Sequence, residues 1–240
     1  HLERFYDLYF LPEGRNTFER FLGVFTVISS TLFQDFNKSE ERDAIMWESF
    51  LHRAARHHVS YVEVTNYIRL WEEEKVERLA VWAEDLEKKT GVKIRLLLAF
   101  NRMVNPKGIQ RNNRTMESLL ELGDHPVIRG INMQNMEDGY AALDIGQGVY
   151  GRLLKAKKEG RSRLGASMHA GELGLTENVR DAIIFGVDRL GHGVALKDDP
   201  LFLEYASRKK IGIETNLVSN LRLGIVDSMK DHPFLMFHRL

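Results

Sequence analysis

Cysteine is absent from the 240 residues of this sequence. Without cysteine sulfur, neither a disulfide framework nor a zinc site built on thiolates can form. Any metal site must therefore use histidine, aspartate or glutamate side chains. The absence also fits a reducing compartment, and we expect a cytoplasmic protein.

An excess of charge of either sign is also absent. The 34 basic residues balance the 34 acidic ones, so no long-range attraction to nucleic acid or to an anionic membrane is expected. The longest apolar run, FLGVFTVISSTLF at residues 21–33, is shorter than the ~20 residues of a membrane span. This run contains serine and threonine and predicts a buried helix. We expect a soluble protein with neither a nucleic-acid nor a membrane partner, and no feature indicates its oligomeric state.

Sequence motifs of several common enzyme classes are missing. A Walker phosphate-binding loop, a Rossmann glycine fingerprint and a G-x-S-x-G nucleophile turn do not occur. Their absence disfavours a nucleotide-phosphate cradle and a serine hydrolase. With 43% hydrophobic residues, the chain can nevertheless form a sizeable core.

Short apolar runs alternate with amphipathic helical patterns through most of the chain. The near-continuous apolar character of several runs is typical of parallel strands that are buried on both faces. The predicted strands are 59–66, 93–100, 127–134, 164–172, 188–193 and 211–220. Helical spacing of apolar residues predicts helices at 40–58 and 72–90, and Thr115 and Thr176 are predicted to cap two further helices.

Polar side chains follow several of these predicted strands: Asn66, Asn132 with Gln134, His169 with Glu172, and His192. Functional groups at the C-terminal ends of several strands are typical of a (β/α)8 barrel, whereas a doubly wound sheet binds ligands at one switch point. Strand–helix alternation without a linker or an internal repeat predicts one domain over residues 1–240. We therefore predict an α/β fold, a TIM (β/α)8 barrel.

The segment SMHAGELG, residues 167–174, places His169 and Glu172 at the end of a predicted strand. A neutral imidazole is a natural zinc ligand, and a nearby glutamate can transfer a proton if its pKa is adjusted. The alternative is a structural histidine that is hydrogen-bonded at the strand end. The motif by itself leaves both interpretations open.

Two later segments have the same ambiguity. In LGHG, His192 lies between two glycines, which allow a close backbone approach to a ligand or a positive φ; an ordinary surface turn is the alternative. In TNLVSN, Ser219 and Asn220 are predicted to cap a helix or close a turn. The remaining internal histidines are expected at the solvated surface: His52, His57, His58, His125, His232 and His238.

Five segments, taken in order, form a specific combination. They are YVEV at 61–64, HAGE at 169–172, LGHG at 190–193, TNLVSN at 215–220 and VDSMKDHPF at 226–234. Together they resemble the adenosine/AMP deaminase family, and the resemblance extends from about residue 17 to the C-terminus. It implies a TIM barrel that removes the 6-amino group of an adenine ring by hydrolysis, with a small purine as its substrate.

The resemblance also implies roles for particular residues. The histidine matching His169 binds a catalytic zinc, and the glutamate matching Glu172 protonates a nitrogen of the purine ring. The histidine matching His192 orients the hydroxide on the metal, and the glycine matching Gly171 contacts the substrate. Zinc lowers the pKa of its water towards ~7, and a protonated ring takes up electrons as the hydroxide attacks. The expected cofactor is Zn²⁺.

The sequence departs from the family pattern at both ends and in one loop. A first strand with His-x-His and a last strand ending in Asp-Asp carry further zinc ligands in the family; neither is visible, so we expect a barrel whose first and last strands are missing from the given sequence. In the fourth-strand loop, GINMQNMED, Gly130 and Glu137 match the family. At three other positions of this loop the family has Asp, Gly and Asp, and this sequence has Asn132, Asn135 and Met136 instead. Because this loop contacts the purine in the family, the substrate among adenine nucleosides and related purines stays open.

The combined interpretation is a zinc-dependent purine deaminase that releases ammonia. Two alternatives stay open: a non-catalytic barrel relative that acts as a binding or regulatory protein, and an amidohydrolase that acts on another ring. The missing ligands and the altered loop support the first of these alternatives.

Overall fold

The computed structural model of the protein describes residues 40–66, 73–102, 105–134, 137 and 148–240. The apolar run at residues 21–33, which predicts a buried helix, lies outside the described residues. The chain divides into two compact units, one made of His1–His58 and Asn216–His232, the other of Val59–Thr215 and Pro233–Leu240. A single domain over residues 1–240 stays a prediction.

The larger unit is built on a six-stranded parallel sheet in which the strands are neighbours in chain order. The strands are β1 (Tyr61–Asn66), β2 (Lys93–Asn101), β3 (Ile128–Gln134), β4 (Gly165–Ala170), β5 (Arg189–His192) and β6 (Gly212–Glu214). All six predicted strands are confirmed. The last is shorter than predicted, because the chain turns into a helix soon after Glu214.

Helices separate the strands along the chain. They are α1 (Glu40–Arg56), α2 (Glu73–Thr90), α3 (Pro106–Leu122), α4 (Tyr150–Lys158), α5 (Thr176–Ile184), α6 (Pro200–Lys209), α7 (Leu217–Arg222) and α8 (Phe234–His238), with a 3₁₀ helix at Val194–Asp198. None of the helices in the described part of the chain is long and apolar enough to cross a membrane.

Two predicted helix starts are wrong. Helix α3 begins before Thr115, at Asn105, whose side chain accepts a hydrogen bond from the amide of Gly108 at 2.8 Å. Proline at the first helical position favours this earlier start. Thr176 is the first residue of α5 rather than its cap, and the geometric cap, Leu175, makes no side-chain capping bond.

The sheet is curled rather than flat. Arg189 on β5 reaches Glu63 on β1, with 2.6 Å between Nη2 and Oε2. Across a flat sheet these strands would lie four intervals, roughly 19 Å, apart, beyond the reach of the two side chains. Asn132 on β3 also donates to Thr65 on β1 at 2.9 Å. Parallel strands in chain order on a curled sheet with intervening helices are the architecture of a (β/α)8 barrel, and the predicted fold is confirmed.

A polar group fills part of the concave face of this sheet. Arg189 binds Glu63 and, through Nε, Glu214 at 3.0 Å. The Ser167 hydroxyl donates to the same Glu214 oxygen at 2.8 Å. We call Glu63, Ser167, Arg189 and Glu214 the arginine cluster, since its one cation joins strands β1, β5 and β6.

The apolar core of the larger unit lies between the sheet and its helices. It includes Phe100, Met116, Ile131, Met168 and Leu190, all buried. Tyr150 of α4 brings a hydroxyl into this core, where it accepts from the Met133 amide at 3.0 Å and donates to the Ser167 carbonyl. Burial raises the pKa of Tyr150 well above its usual range, so the hydroxyl keeps its proton and links β3 to β4.

In the smaller unit, Asn220 is the centre of a local network. It lies inside α7, whose cap position is Asn216, so the predicted capping role of Ser219 and Asn220 is wrong. The Asn220 side chain is fully buried and lies 3.2 Å from Nε2 of His232. His232 is therefore buried too, and the prediction of a surface position for it is wrong.

Candidate active site

Strands β4 and β5 end side by side and present two histidines at the same edge. His169 is paired in register with Gly191, and His192 is the last residue of β5. The two imidazole rings have centroids 4.9 Å apart and planes inclined at 78°. A Cβ atom on Gly191 would lie 2.6 Å from Cδ2 of His169. Glycine at this position therefore makes room for the His169 ring.

The backbone at the end of β5 is unusual. His192 and Gly193 have φ angles of 64° and 61°, so two consecutive residues lie in the left-handed region. A non-glycine residue with positive φ is uncommon, and such strain is concentrated at functional sites. The Gly193 amide donates to the Ala170 carbonyl at 3.1 Å, which fixes this turn against β4. Gly193 thus has the positive φ that a glycine allows, and at Gly191 the close approach is to the His169 ring rather than to a ligand.

Glu172 follows β4 and lies beside His192. Its side chain is only 6% exposed, and Oε1 is 3.4 Å from Nδ1 of His192. Burial, followed by the nearby Glu137 carboxylate, raises the pKa of Glu172 to about 7. A carboxyl group that holds its proton near neutral pH can act as a general acid.

His169 is held in its neutral form. Burial, with a contribution from the Arg102 guanidinium, lowers the pKa of His169 to about 4. Arg102 also donates a hydrogen bond to the His169 carbonyl, which fixes the end of β4. Neutral imidazole is the form of histidine that binds metal ions.

Glu137 is a member of this group whose importance the sequence did not indicate. Its carboxylate accepts hydrogen bonds from the amides of Gly171 and Glu172, at 2.7 and 2.8 Å, and from the Asn178 side chain at 3.1 Å. The residue is 1% exposed. The available signal is that Glu137 matches the family in a segment where three nearby positions are replaced.

Gly171 is required by packing. Its φ is +82°, and a Cβ atom there would lie 2.5 Å from Cγ2 of Val179 and 3.1 Å from Cβ of Ala195. Any side chain would therefore be strained and would collide with its neighbours. The four predicted site residues, His169, Gly171, Glu172 and His192, lie together at one edge of the sheet.

The chemistry of His169 fits a zinc ligand, but the described residues do not supply a complete set. A catalytic zinc usually takes three protein ligands. Among the residues that the structure describes, no group of three or more histidine, aspartate or glutamate side chains could hold a metal ion. His169 is therefore a candidate zinc ligand, and the described residues give no basis for assigning the remaining zinc ligands.

The altered loop after β3 is described in part. Asn132, which stands where the family has aspartate, is 4% exposed and donates to Thr65. The Asn132 Nδ2 group is thus bonded inside the curled sheet, whereas its buried Oδ1 atom has no hydrogen-bond partner in the described part of the chain. The other two replacements, Asn135 and Met136, lie outside the described residues.

Comparison with known proteins identifies the family of this chain. A family profile described as "Adenosine deaminase" matches residues 8–240. An adenosine deaminase of Enterococcus faecalis is 42% identical over 71 residues, which make up 30% of this chain and 21% of that protein. An adenine deaminase of Emericella nidulans is 30% identical over 154 residues, 63% of this chain and 40% of that protein.

A solved structure shares the fold. The adenine deaminase of Arthrobacter aurescens superposes with a TM-score of 0.73 at 22% identity, over 99% of this chain and 68% of that one. The chain spans 21% and 40% of the length of the two curated relatives. Because the family profile covers nearly all of the sequence, the chain belongs to the adenosine deaminase family.

Proposed function

We propose that the full-length protein is a zinc-dependent hydrolase that removes the 6-amino group of adenine or an adenine nucleoside and releases ammonia. The observation that carries this proposal is the position of Glu172. It is a buried carboxyl group with a pKa of about 7, and it lies beside His192, whose ring contacts that of the neutral His169. Such a group can give a proton to a ring nitrogen at neutral pH.

Each of the three side chains has a distinct part in this reaction. Glu172 donates its proton to the purine ring, which makes the carbon that carries the amino group a better electrophile. His192 orients the attacking water, and its ring packs edge-to-face against the His169 ring. Zinc, when bound, supplies a water of lowered pKa, near ~7, and His169 is one of its ligands. Gly171 contributes the compact turn that brings Glu172 next to the substrate.

The substrate belongs to the small purines, and the relatives support two candidates. One curated relative is named an adenosine deaminase, and another is named an adenine deaminase. The replacement of aspartate by Asn132 removes a charge close to the expected purine position. Because this loop differs from that of the family, adenosine need not be the preferred substrate. Free adenine and N6-methylated purines therefore belong in the same assay.

The test combines metal analysis with turnover. We expect purified full-length protein to contain about one zinc per chain, the usual number for a single catalytic site. Ammonia release is measured with adenosine, AMP, adenine and their N6-methylated forms. Protein that contains no zinc and releases ammonia from none of these compounds contradicts the proposal.

A purine-binding protein without catalysis is the second candidate. The observation that favours it is the altered loop after β3, in which Asn132 replaces an aspartate of the family and donates a hydrogen bond to Thr65. It is distinguished by calorimetry, since such a protein binds a purine without zinc and without releasing ammonia.

A further inference from the structure

Glu137 is a buried carboxylate beside the candidate active site, and three hydrogen bonds hold it in place. Glu137 Oε2 accepts from the Gly171 amide and the Asn178 side chain, and Oε1 accepts from the Glu172 amide. Two consecutive backbone N–H groups thus donate to one buried carboxylate. These charge-assisted hydrogen bonds fix the orientation of the peptides at Gly171 and Glu172.

We propose that Glu137 is a positioning residue, which fixes the Gly171–Glu172 peptide and thereby aims the Glu172 carboxyl group at the substrate. This inference rests on the proposed function. Glu137 acts through Glu172 and is distinct from the groups that would donate the proton, orient the water or hold the metal.

The surroundings of Gly171 explain why one anchor controls this turn. On one side, the Ala195 amide donates to the Gly171 carbonyl at 2.9 Å. On the other, Glu137 Oε1 accepts from the Glu172 N–H of the same peptide at 2.8 Å. Val179 and Ala195 occupy the space that a Cβ atom would need. The peptide before Glu172 is therefore restrained on both sides, and only the Glu137 side depends on a removable side chain.

The charge of Glu137 supports the same role. After burial, its carboxylate is the second cause of the raised pKa of Glu172. The group that fixes the direction of Glu172 therefore also helps it to keep its proton.

The test uses Glu137→Gln in the full-length protein. Glutamine has nearly the same shape but one acceptor oxygen, so one of the two backbone N–H groups loses its acceptor and faces an NH₂ group. We expect kcat to fall on the order of 10- to 100-fold, as misplaced catalytic groups do, with KM changed much less. The amide proton resonances of Gly171 and Glu172 are expected to shift upfield in NMR spectra.

A matched control lies at the other end of β4. Asp188, just before β5, accepts through Oδ2 from the Ala166 amide of β4 at 2.8 Å and pairs with Lys157 at 3.0 Å. Asp188→Asn therefore makes the same carboxylate-to-amide change against a β4 amide, away from the active site. We expect this control to lose some stability and to retain kcat within about threefold, because no reacting group is displaced. If Glu137→Gln does not fold, Glu137→Asp replaces it; the carboxylate is then one methylene shorter, and we expect an intermediate loss of kcat.

The outcomes separate the two proposals. Wild-type protein that is inactive on every purine overturns the proposed function and this inference with it. Active wild-type protein whose kcat falls no further in the Glu137 variant than in Asp188→Asn overturns the positioning role alone. A selective fall in kcat, together with the shifted amide resonances, supports it.

Discussion

Glu172 and Glu214 are carboxylates of the same curled sheet, but they have opposite surroundings. Glu214 belongs to the arginine cluster, where Arg189 lies 3.0 Å away and also pairs with Glu63. Glu172 instead faces a second carboxylate, Glu137, and the His192 ring. The first carboxylate is compensated by a cation, whereas the second keeps its proton to about pH 7.

This difference separates a structural use of charge from a chemical one. A carboxylate paired with arginine joins strands, as Glu214 does with Arg189. A carboxyl group that is buried beside another carboxylate is costly to ionise, and that cost makes it a proton donor at neutral pH. We therefore expect the edge formed by β4 and β5 to carry the proposed chemistry and the arginine cluster to support the curvature of the sheet.

The largest expected effect comes from removing the proposed proton donor. Glu172→Gln keeps the size of the side chain but cannot transfer a proton, so we expect kcat to fall by about 10²- to 10⁴-fold. Zinc content, measured by elemental analysis, is expected to stay unchanged because the proposed ligand His169 is untouched. Glu214→Gln is the matched change in the arginine cluster, and its kcat should remain within about fivefold of wild type. Equal losses in both variants would remove the distinction between the two regions.

The pH dependence of stability tests the same contrast without activity. In metal-free protein, the Glu172 carboxyl group keeps its proton up to about pH 7 when folded but loses it near 4.5 when unfolded. Between these values the folded state binds more protons, so the free energy of unfolding falls as pH rises. The shift in the Glu172 pKa from 4.5 to about 7 corresponds to a loss of roughly 3 kcal/mol in the free energy of unfolding. This loss is complete above pH 7.

Urea denaturation of chelator-treated wild type and Glu172→Gln at pH 5 to 8 measures this effect. The lowered pKa of His169 has the opposite pH dependence: it reduces the free energy of unfolding as the pH falls below 6.5. Both proteins contain His169, so their difference isolates Glu172. We expect the variant to gain stability relative to wild type as pH rises, and a difference that is constant with pH would contradict the raised pKa.

A third test moves a histidine of the site without changing any polar group. In Gly191→Ala, the new Cβ atom would lie 2.6 Å from Cδ2 of His169, so the ring must rotate or shift. We expect a fall in kcat of about 10- to 100-fold and a loss of bound zinc, because small displacements of a ligand or catalytic group are costly. Gly165→Ala is the control on the neighbouring strand, where the nearest atom to the Cβ would be 3.6 Å away. Wild-type zinc content in Gly191→Ala would exclude His169 as a ligand.

The parts of this structure that could be predicted are those encoded in short segments. Apolar runs bounded by turns gave the strands, and strand ends carrying His169 and His192 indicated the site. The role of Glu137 could not be predicted locally, because its partners Gly171 and Glu172 lie 34 and 35 residues further along the chain. Its contacts exist only after β3 and β4 have paired.

Two other errors have the same physical origin. His232 was expected at the surface because its partner Asn220, 12 residues away, is not evident from local pattern. The arginine cluster was missed because Arg189 and Glu63 are brought together only by the curvature of the sheet. Local sequence therefore predicts helices, strands and the side chains at strand ends. Contacts between residues distant in the chain decide which of those side chains are buried and which are paired with a charge.

The smallest expected effect concerns the arginine cluster itself. Arg189→Met keeps much of the side-chain volume but leaves the carboxylates of Glu63 and Glu214 without their shared cation. The paired side chains are 37%, 21% and 32% exposed, for Arg189, Glu63 and Glu214, so solvent screens part of the interaction. We expect a loss of about 1–2 kcal/mol in unfolding free energy, between the values for surface and buried pairs, with kcat within about threefold. Arg208→Met, which breaks the exposed pair of Arg208 with Glu204 on α6, should cause no measurable loss. If Arg189→Met instead abolished turnover at unchanged stability, the arginine cluster would belong to the active site, and the division between compensated and uncompensated carboxylates would not hold.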